Sequence, residues 1–298
     1  MSSSPDVSII ITSFNTKKLI RNCIESVINH TKAINYELIV VDNASVDGSV
    51  VYLSKLSDKG QIKLISLSKN IGYGAGNNRG AAVAVGKYLL FLNSDTLLQE
   101  DSISLAYRFL STHTKAGVYG CQLTSANGHT QSSGGYFPTL WRLFAWQMFI
   151  DDLPLIGPMI KSIHPHTQPS QPDWVTGAFM MIPKSIFNQV GGFDEKIFMY
   201  VEELELCFRI HNINKTVVYD PGTKIIHFGG GSGGSSLALP SEIKNMVYFF
   251  QKHYSSFLSV IIKIIFLIGC LLRWFIFGII KRDEVALIAY RRAIRQLA

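Results

Sequence analysis

Short apolar runs alternate with stretches whose apolar residues recur every three or four positions across the first hundred residues. Val7–Thr12 (VSIIIT) is apolar and β-branched throughout, the pattern of a strand buried on both faces. In Lys17–Asn29, residues Leu19, Ile20, Cys23, Ile24, Val27 and Ile28 fall at helical spacing. Tyr36–Asp42 then reads as a strand, Asp47–Leu56 as a helix and Ile62–Leu67 as a third strand. Asn77–Val85 predicts a helix of small residues, and Lys87–Leu92 a fourth strand. Such alternation implies a parallel sheet with right-handed crossovers. Ligands of these sheets bind beyond the carboxyl ends of the strands, where Asp42 and the Asn93-Ser94-Asp95 turn lie.

The pattern changes in the second half. Residues 134–171 are rich in aromatics, Pro and His without a clear period, and read as an acceptor-side loop or a lid. Trp174–Pro183 predicts one strand, Glu202–Asn212 a helix, and Thr216–Tyr219 and Lys224–Phe228 two short strands. A Gly/Ser loop at 229–236 precedes a helix expected to start near Pro240. Phe257–Ile280 is apolar for a membrane-spanning length but is interrupted by Lys263 and Arg273. At about 100° per residue these two and Lys281 share one side of a helix. That pattern fits a helix lying in the interface with snorkelling cations, and a buried helix or a single spanning helix is the alternative.

Charge sharpens this division. Of the chain's net +7, the stretch from Glu242 onward carries +6, from nine Lys/Arg against three acids. A basic, apolar tail points to anionic lipid headgroups, and this distribution argues against a nucleic-acid binder. Cys23, Cys121, Cys207 and Cys270 show no CxxC pair, which disfavours zinc knuckles and a disulfide framework and fits a reducing compartment. The opening MSSSPD lacks the features of a signal peptide, so the expected location is cytosolic.

Three passages carry candidate chemistry. Asp95, on a turn after an apolar strand, is placed for a hard divalent cation, although Asp and Asn are also ordinary turn residues. Asn70–Gly80 (NIGYGAGNNRG) fails the dinucleotide spacing, because Asn77 and Arg79 stand where glycine is required. Its glycines would let backbone approach a diphosphate or a sugar, and its Asn side chains would donate hydrogen bonds. Glu202, Glu203 and Glu205 open a predicted helix, where the helix dipole alone accounts for one or two acids and the adjacent pair offers a general base. His227 ends a short strand, and a lone His is more often structural than a ligand.

Taken in order, VSIIITSFN (from Val7), IVVDNASVDGS (from Ile39), NIGYGAGNNRGA (from Asn70), FLNSDT (from Phe91), WVTGAFMMIPK (from Trp174), GGFDEKIFMYVEELELCFR (from Gly191) and HFGGGS (from His227) resemble the family 2 glycosyltransferases of GT-A fold, bacterial rhamnosyltransferase-like branch. The resemblance covers most of residues 7–232. It implies an α/β fold with a Rossmann-like, mostly parallel central sheet, and a C-terminal helical appendage. It divides the chain into a transferase domain at 1–240, with a nucleotide-sugar half (1–125) and an acceptor half (126–240), and a membrane-associating region at 241–298. By position it implies that Thr12 and Phe14 flank the nucleoside and that Asp42 accepts from a pyrimidine. Asn70, Gly74, Asn77 and Ser94 line the donor pocket, Asp95 binds Mg²⁺ or Mn²⁺, and His227 is a second metal or diphosphate contact. Trp174, Thr176, Gly177 and Ala178 border the acceptor, and Glu203, beside Glu202, is the base. Asn93 stands at the family's first acidic metal position, and Glu203 where the family usually has Asp.

The implied reaction is inverting transfer of one sugar from a dTDP- or UDP-sugar, dTDP-rhamnose first, to a polyprenyl-linked or cell-surface glycan of cell-wall or O-antigen type. The implied place is the cytoplasmic face of the bacterial inner membrane. A processive synthase is the nearest alternative, but its QxxRW motif meets Cys270-Leu271-Leu272-Arg273-Trp274 here. A nucleotide-sugar-binding protein without turnover is the other. No basic triphosphate loop supports a nucleotidyltransferase.

Overall fold

The computed structural model describes residues 4–153, 168–229 and 235–297. They fall into two compact units: residues 4–135, 168–198 and 202–229 in one, and 136–153, 199–201 and 235–297 in the other. The helical unit thus takes in 136–153, which the sequence-based division left with the transferase half.

The first unit holds a nine-stranded mixed sheet. Strands β1 (Val7–Ser13), β2 (Tyr36–Asp42), β3 (Lys63–Ser66) and β4 (Tyr88–Asn93) are parallel in the order β3-β2-β1-β4, as the alternation predicts. Helix α1 (Lys17–His30) seals one face, packing Ile20, Cys23, Ile24 and Val27 into the core formed by Val7, Ile9, Ile11 and Leu92. Helix α2 (Ser49–Asp58) adds Leu53 to that core. Helix α3 (Tyr73–Val83) covers the other face and begins four residues before the expected start. Its small residues set the distance: a Cβ on Gly80 would come within 2.5 Å of Ile10, and one on Gly76 within 2.7 Å of Thr12.

Beyond β4 the sheet departs from the parallel reading. The expected strand Trp174–Pro183 divides in two. β9 (Trp174–Val175) pairs with β8 (Gly134–Gly135) in a small separate sheet, and β10 (Phe179–Pro183) enters the main sheet antiparallel, between β4 and β6 (Ala116–Thr124). Strand β5 (Thr96–Leu98), helix α4 (Ser102–Thr112) and β6 were not anticipated. The two short strands expected at 216–228 are one strand, β11 (Thr216–His227), irregular between Asp220 and Lys224. β11 runs parallel to β6 and then antiparallel to β5, which sets His227 opposite Thr96. β7 (Thr130–Gln131) pairs with the end of β6. Helices α6 (Lys184–Val190) and α7 (Glu202–His211) complete the unit.

The second unit is helical: α5 (Leu140–Gln147), α8 (Ser235–His253), α9 (Ser256–Arg273) and α10 (Glu284–Leu297). Pro240 lies inside α8 rather than at its start. α9 packs on α5, α8 and α10 and runs into a π-helical segment, Trp274–Ile280. Arg273 does not snorkel. Its guanidinium donates to the Trp146 carbonyl and lies 4.0 Å from the Phe149 ring centre. In the same unit, Asn245 Nδ2 donates to the carbonyls of Met199 (2.8 Å) and Tyr200 (3.2 Å). It thereby holds Tyr200 and Val201 at φ of 69° and 75°, a conformation that a β-branched residue rarely adopts. Of the aromatic stretch expected as a loop or lid, residues 154–167 lie outside the described residues.

Candidate active site

The parallel register places Thr12 beside Asn93 and Ser13 beside Asp42, so Thr12, Asn93 and Asp42 lie in two adjacent rows at the strand ends. Asp42 is fully buried. Its Oδ2 accepts from the Ser45 amide at 2.9 Å, while Oδ1 has no partner among the described residues. A buried acceptor left so costs about 1–3 kcal/mol, which a ligand donor would relieve. Half-buried Phe14 precedes Asn15, whose Oδ1 accepts from Val46 N at 2.8 Å and whose N donates to Ser45 Oγ at 2.9 Å. These bonds tie the loop after β2 to the end of β1.

The glycine-rich passage is an entry turn followed by α3. Asn70 Oδ1 accepts from Gly72 N, and Asn43 both accepts from Ile71 N and donates to the Gly72 carbonyl, each at 3.0 Å. Protein takes up the bare faces of the glycines. A Cβ on Gly72 would collide with the Phe198 backbone, and one on Gly74 would sit 3.0 Å from Phe193 Cβ. What these glycines contribute is closeness, which lets Thr12 Oγ1 donate to Asn77 Oδ1 at 2.9 Å. Asn77 Nδ2 has no close hydrogen-bond partner among the described residues and lies near the Tyr73 hydroxyl, whose anion it would support.

Tyr73, the first residue of α3, ties the remaining candidates together. Its hydroxyl donates to the Gly177 carbonyl at 2.7 Å. Burial holds the phenol well above its usual pKa, and Glu202, Glu203 and Asp95 add to the shift, so the fields of all three acids meet at this ring. The Gly177 peptide serves both sides, because its N–H also supports the Glu203 carboxylate. Ala178 is buried, and its carbonyl accepts from Asn93 N at 3.1 Å. Thr176 Oγ1 accepts from Ala178 N at 3.3 Å. Trp174 stands in β9, paired with Gly135.

The three glutamates of α7 separate by environment. Glu205, fully buried, forms a two-pronged pair with Arg209 down to 2.6 Å, and Arg209 also donates to the carbonyls of Val190 and Gly192. It is structural. Glu202 is raised well above the ordinary carboxylate range by burial and then by its neighbour Glu203. Burial also raises Glu203, against the Gly177 N–H. Each leaves one buried oxygen unpartnered among the described residues. Burial and mutual repulsion disfavour two negative charges on this pair at once, and its titration belongs to the pair.

Asp95 and His227 meet. Asp95 Oδ1 lies 3.4 Å from His227 Nε2, and Asn93 Nδ2 is 3.5 Å from the same nitrogen. Gln131 orients the imidazole: its Nε2 donates to the His227 carbonyl, and its Oε1 faces Nδ1, both at 2.9 Å. Oε1 only accepts, so Nδ1 carries a hydrogen, and Nε2 is the ring atom that faces Asp95. Two ligands about 2.1 Å from one ion at a right angle lie roughly 3 Å apart, so this pair fits a divalent cation. Among the described residues no third His, Cys, Asp or Glu completes a cluster, which leaves other positions to a ligand's oxygens. Ser94 Oγ accepts from Thr16 Oγ1 at 3.1 Å, fixing the turn that carries Asp95.

The structure therefore joins Thr12 to Asn77, Asp95 to His227, and Glu203 through Gly177 to Tyr73. Sequence reasoning missed Tyr73, Gln131 and Asn43. Tyr73 stood inside a motif read for its glycines, and Gln131, in a two-residue strand, left no signal. Comparison with known proteins agrees with the fold. The model for glycosyl transferase family 2 matches residues 8–190. The chain belongs to that family. Its relatives include the N-acetylglucosaminyl-diphospho-decaprenol L-rhamnosyltransferase of Mycobacterium tuberculosis, 25% identical over 73% of this chain and 75% of the relative. Rhamnosyltransferase WbbL of Escherichia coli is 30% identical over 52% of this chain and 61% of its own. The structure of mannosyltransferase PcManGT from Pyrobaculum calidifontis, in complex with GDP-Man and Mn²⁺, superposes with a TM-score of 0.59 over 98% of this chain and 74% of that one, at 13% identity. The fold is GT-A, and this family 2 member is rhamnosyltransferase-like and carries out glycosyl transfer.

Proposed function

We propose that the chain transfers a single sugar from a nucleotide-diphosphate sugar to a hydroxyl of a lipid-linked or cell-surface glycan, with inversion, at the cytoplasmic face of a membrane. The observation that carries this reading is the Gly177 peptide, which accepts from the Tyr73 hydroxyl and supports Glu203, with Tyr73 feeling the charges of Glu202, Glu203 and Asp95. Glu203 removes the acceptor proton as the acceptor oxygen bonds to the anomeric carbon and the bond to the diphosphate oxygen breaks with its electron pair. Glu202, beside it, is a carboxyl whose negative charge burial and then Glu203 disfavour. Asp42 Oδ1 accepts the imide N–H of a uracil or thymine ring, and Phe14 packs beside that ring. Asp95 and His227 are the residues that would hold Mg²⁺ or Mn²⁺, and such an ion supplies neutralisation of the departing diphosphate.

dTDP-rhamnose is the first donor to test and UDP-hexoses the second. The names of the mycobacterial and Escherichia coli relatives support that order, and the mycobacterial name supports a polyprenyl-diphosphate acceptor. The test is a donor panel read by nucleoside diphosphate release and by product mass, with and without divalent metal. Turnover with a pyrimidine diphosphate sugar, abolished in Asp95→Ala, is expected; release indifferent to Asp95 overturns the assignment. One added sugar, rather than a ladder, separates this reading from a processive synthase. Asn93 at the acidic metal position favours a second reading, a nucleotide-sugar binder without turnover; donor binding with neither transfer nor hydrolysis would establish it.

A further inference from the structure

Helix α9 and the π-helical segment after it present two opposed faces. Phe257, Val260, Ile264, Ile268, Leu271, Phe275 and Ile279 are all exposed, Phe257 at 74% and the others near half. Their steps of three and four residues put them within an arc of about 100°. The opposite arc holds the buried Ser259, Ile262, Phe266, Gly269 and Cys270, packed on α5, α8 and α10. Gly269 is needed there, because a Cβ would overlap the Gln147 side chain. The exposed stripe is roughly 30 Å long, at about 1.5 Å per residue, and contains no polar residue. Soluble monomers seldom leave so continuous an apolar strip in water.

Length and composition alone would let Ser256–Ile280 cross a bilayer. A spanning helix would be apolar toward lipid all round. Here half the circumference is occupied by helices with exposed cations, Lys244 and Lys252 on α8 and Arg291, Arg292 and Arg295 on α10. To span, α9 would either shed these partners or carry their charges into hydrocarbon, at about 2.5–3.5 kcal/mol for each charge. Lys281 and Arg282 follow the stripe directly and are exposed.

We infer that the exposed stripe of α9 is a membrane-docking face, with the helix lying flat in the headgroup region of an anionic bilayer. The stripe enters the acyl boundary, and Lys281, Arg282 and the α10 arginines meet lipid phosphates. This gives a surface and an orientation to the membrane association proposed above, and its test does not depend on sugar transfer.

The purified full-length chain is sedimented with vesicles of phosphatidylcholine alone or with phosphatidylglycerol added. Stronger binding to the anionic vesicles is expected. Ile264→Glu with Ile268→Glu should lower that binding at least tenfold, and Arg291→Gln with Arg292→Gln by about fivefold per arginine. All four side chains are exposed, and an unchanged far-UV spectrum and nucleotide binding check the fold of each variant. Binding indifferent to the glutamate pair overturns the proposal. So does retention on native membranes through an alkaline carbonate wash, which would mark a spanning helix. A third overturning result is a dimer lost in Ile268→Glu without any vesicle binding, since a second copy would then cover the stripe.

Discussion

Replacing Glu203 with Gln tests the site most directly, because function and stability should move in opposite directions. The substitution is nearly isosteric and keeps an oxygen for the Gly177 N–H, but removes the proton acceptor. Loss of a general base costs 10²–10⁴-fold in turnover, roughly 3–5 kcal/mol of barrier. Both glutamates have folded-state pKa values above the ordinary range, because burial disfavours their anions. The native state therefore binds more protons than the unfolded chain between the ordinary carboxylate pKa and the raised one. The stability associated with this binding is complete at acid pH and is lost as pH rises through the raised pKa. Each unit of elevation removes about 1.4 kcal/mol above that window. Glu203→Gln has no such proton to lose, and with it Glu202 loses its repulsive neighbour. Thermal melts at pH 4.5 and pH 8 should show the variant gaining on the native chain at the higher pH. Nucleoside diphosphate release under single-turnover conditions should fall by at least 10²-fold with donor affinity retained. Turnover within threefold of native would refute Glu203 as base; equal melting shifts at both pH values would refute the buried, charged pair.

Other substitutions probe the supports. Gln131→Leu frees the His227 ring, so calorimetric Mn²⁺ affinity in the presence of nucleoside diphosphate should weaken 10–100-fold, the usual effect of losing a ligand's hydrogen-bond partner. Gly76→Ala drives a methyl against Thr12, separates α3 from β1 and should cost about 1–3 kcal/mol in denaturant melts while raising KM for the donor. Glu205→Gln leaves the partly buried Arg209 without its carboxylate and should cost up to about 3–5 kcal/mol, read by the same melts, with KM unchanged in the fraction that folds. Asn245→Asp removes the donor that holds Met199 and Tyr200; turnover should fall about tenfold with donor affinity intact, and Asn245→Gln should restore little of it.

Legibility followed the physics of each element. Strands β1, β2 and β4 could be read because a strand buried on both faces is a continuous β-branched run, and α3 because its residues are small. The direction of β10 could not, since FMMIP is equally apolar read either way and only its pairing with β4 and β6 decides. β11 looked like two strands because Asp220, Pro221 and Gly222 are turn residues, here spent on an irregularity within one strand. Residues with a formal charge in a compact motif, such as Asp95 and Glu203, announced themselves. Tyr73 and Gln131 are neutral, and act through a carbonyl and an imidazole more than 90 residues away in sequence. Glu205 resembled its neighbours until Arg209 was seen folded back on it.

The break in β11 gives the chain an arithmetic. Up to Asp220 the strand keeps step with β6 alone, and from Lys224 on it keeps step with β6 and with β5 together, so the residues between act as a spacer, and where the downstream segment slips to close a deletion the parity of the slip decides which way His227 points. Side chains on a strand alternate faces, so deleting one spacer residue would turn the imidazole to the far side of the sheet, whereas deleting two would return it. Length variants of this spacer should accordingly sort into odd and even classes, the odd ones well folded yet unable to bring an imidazole to Asp95.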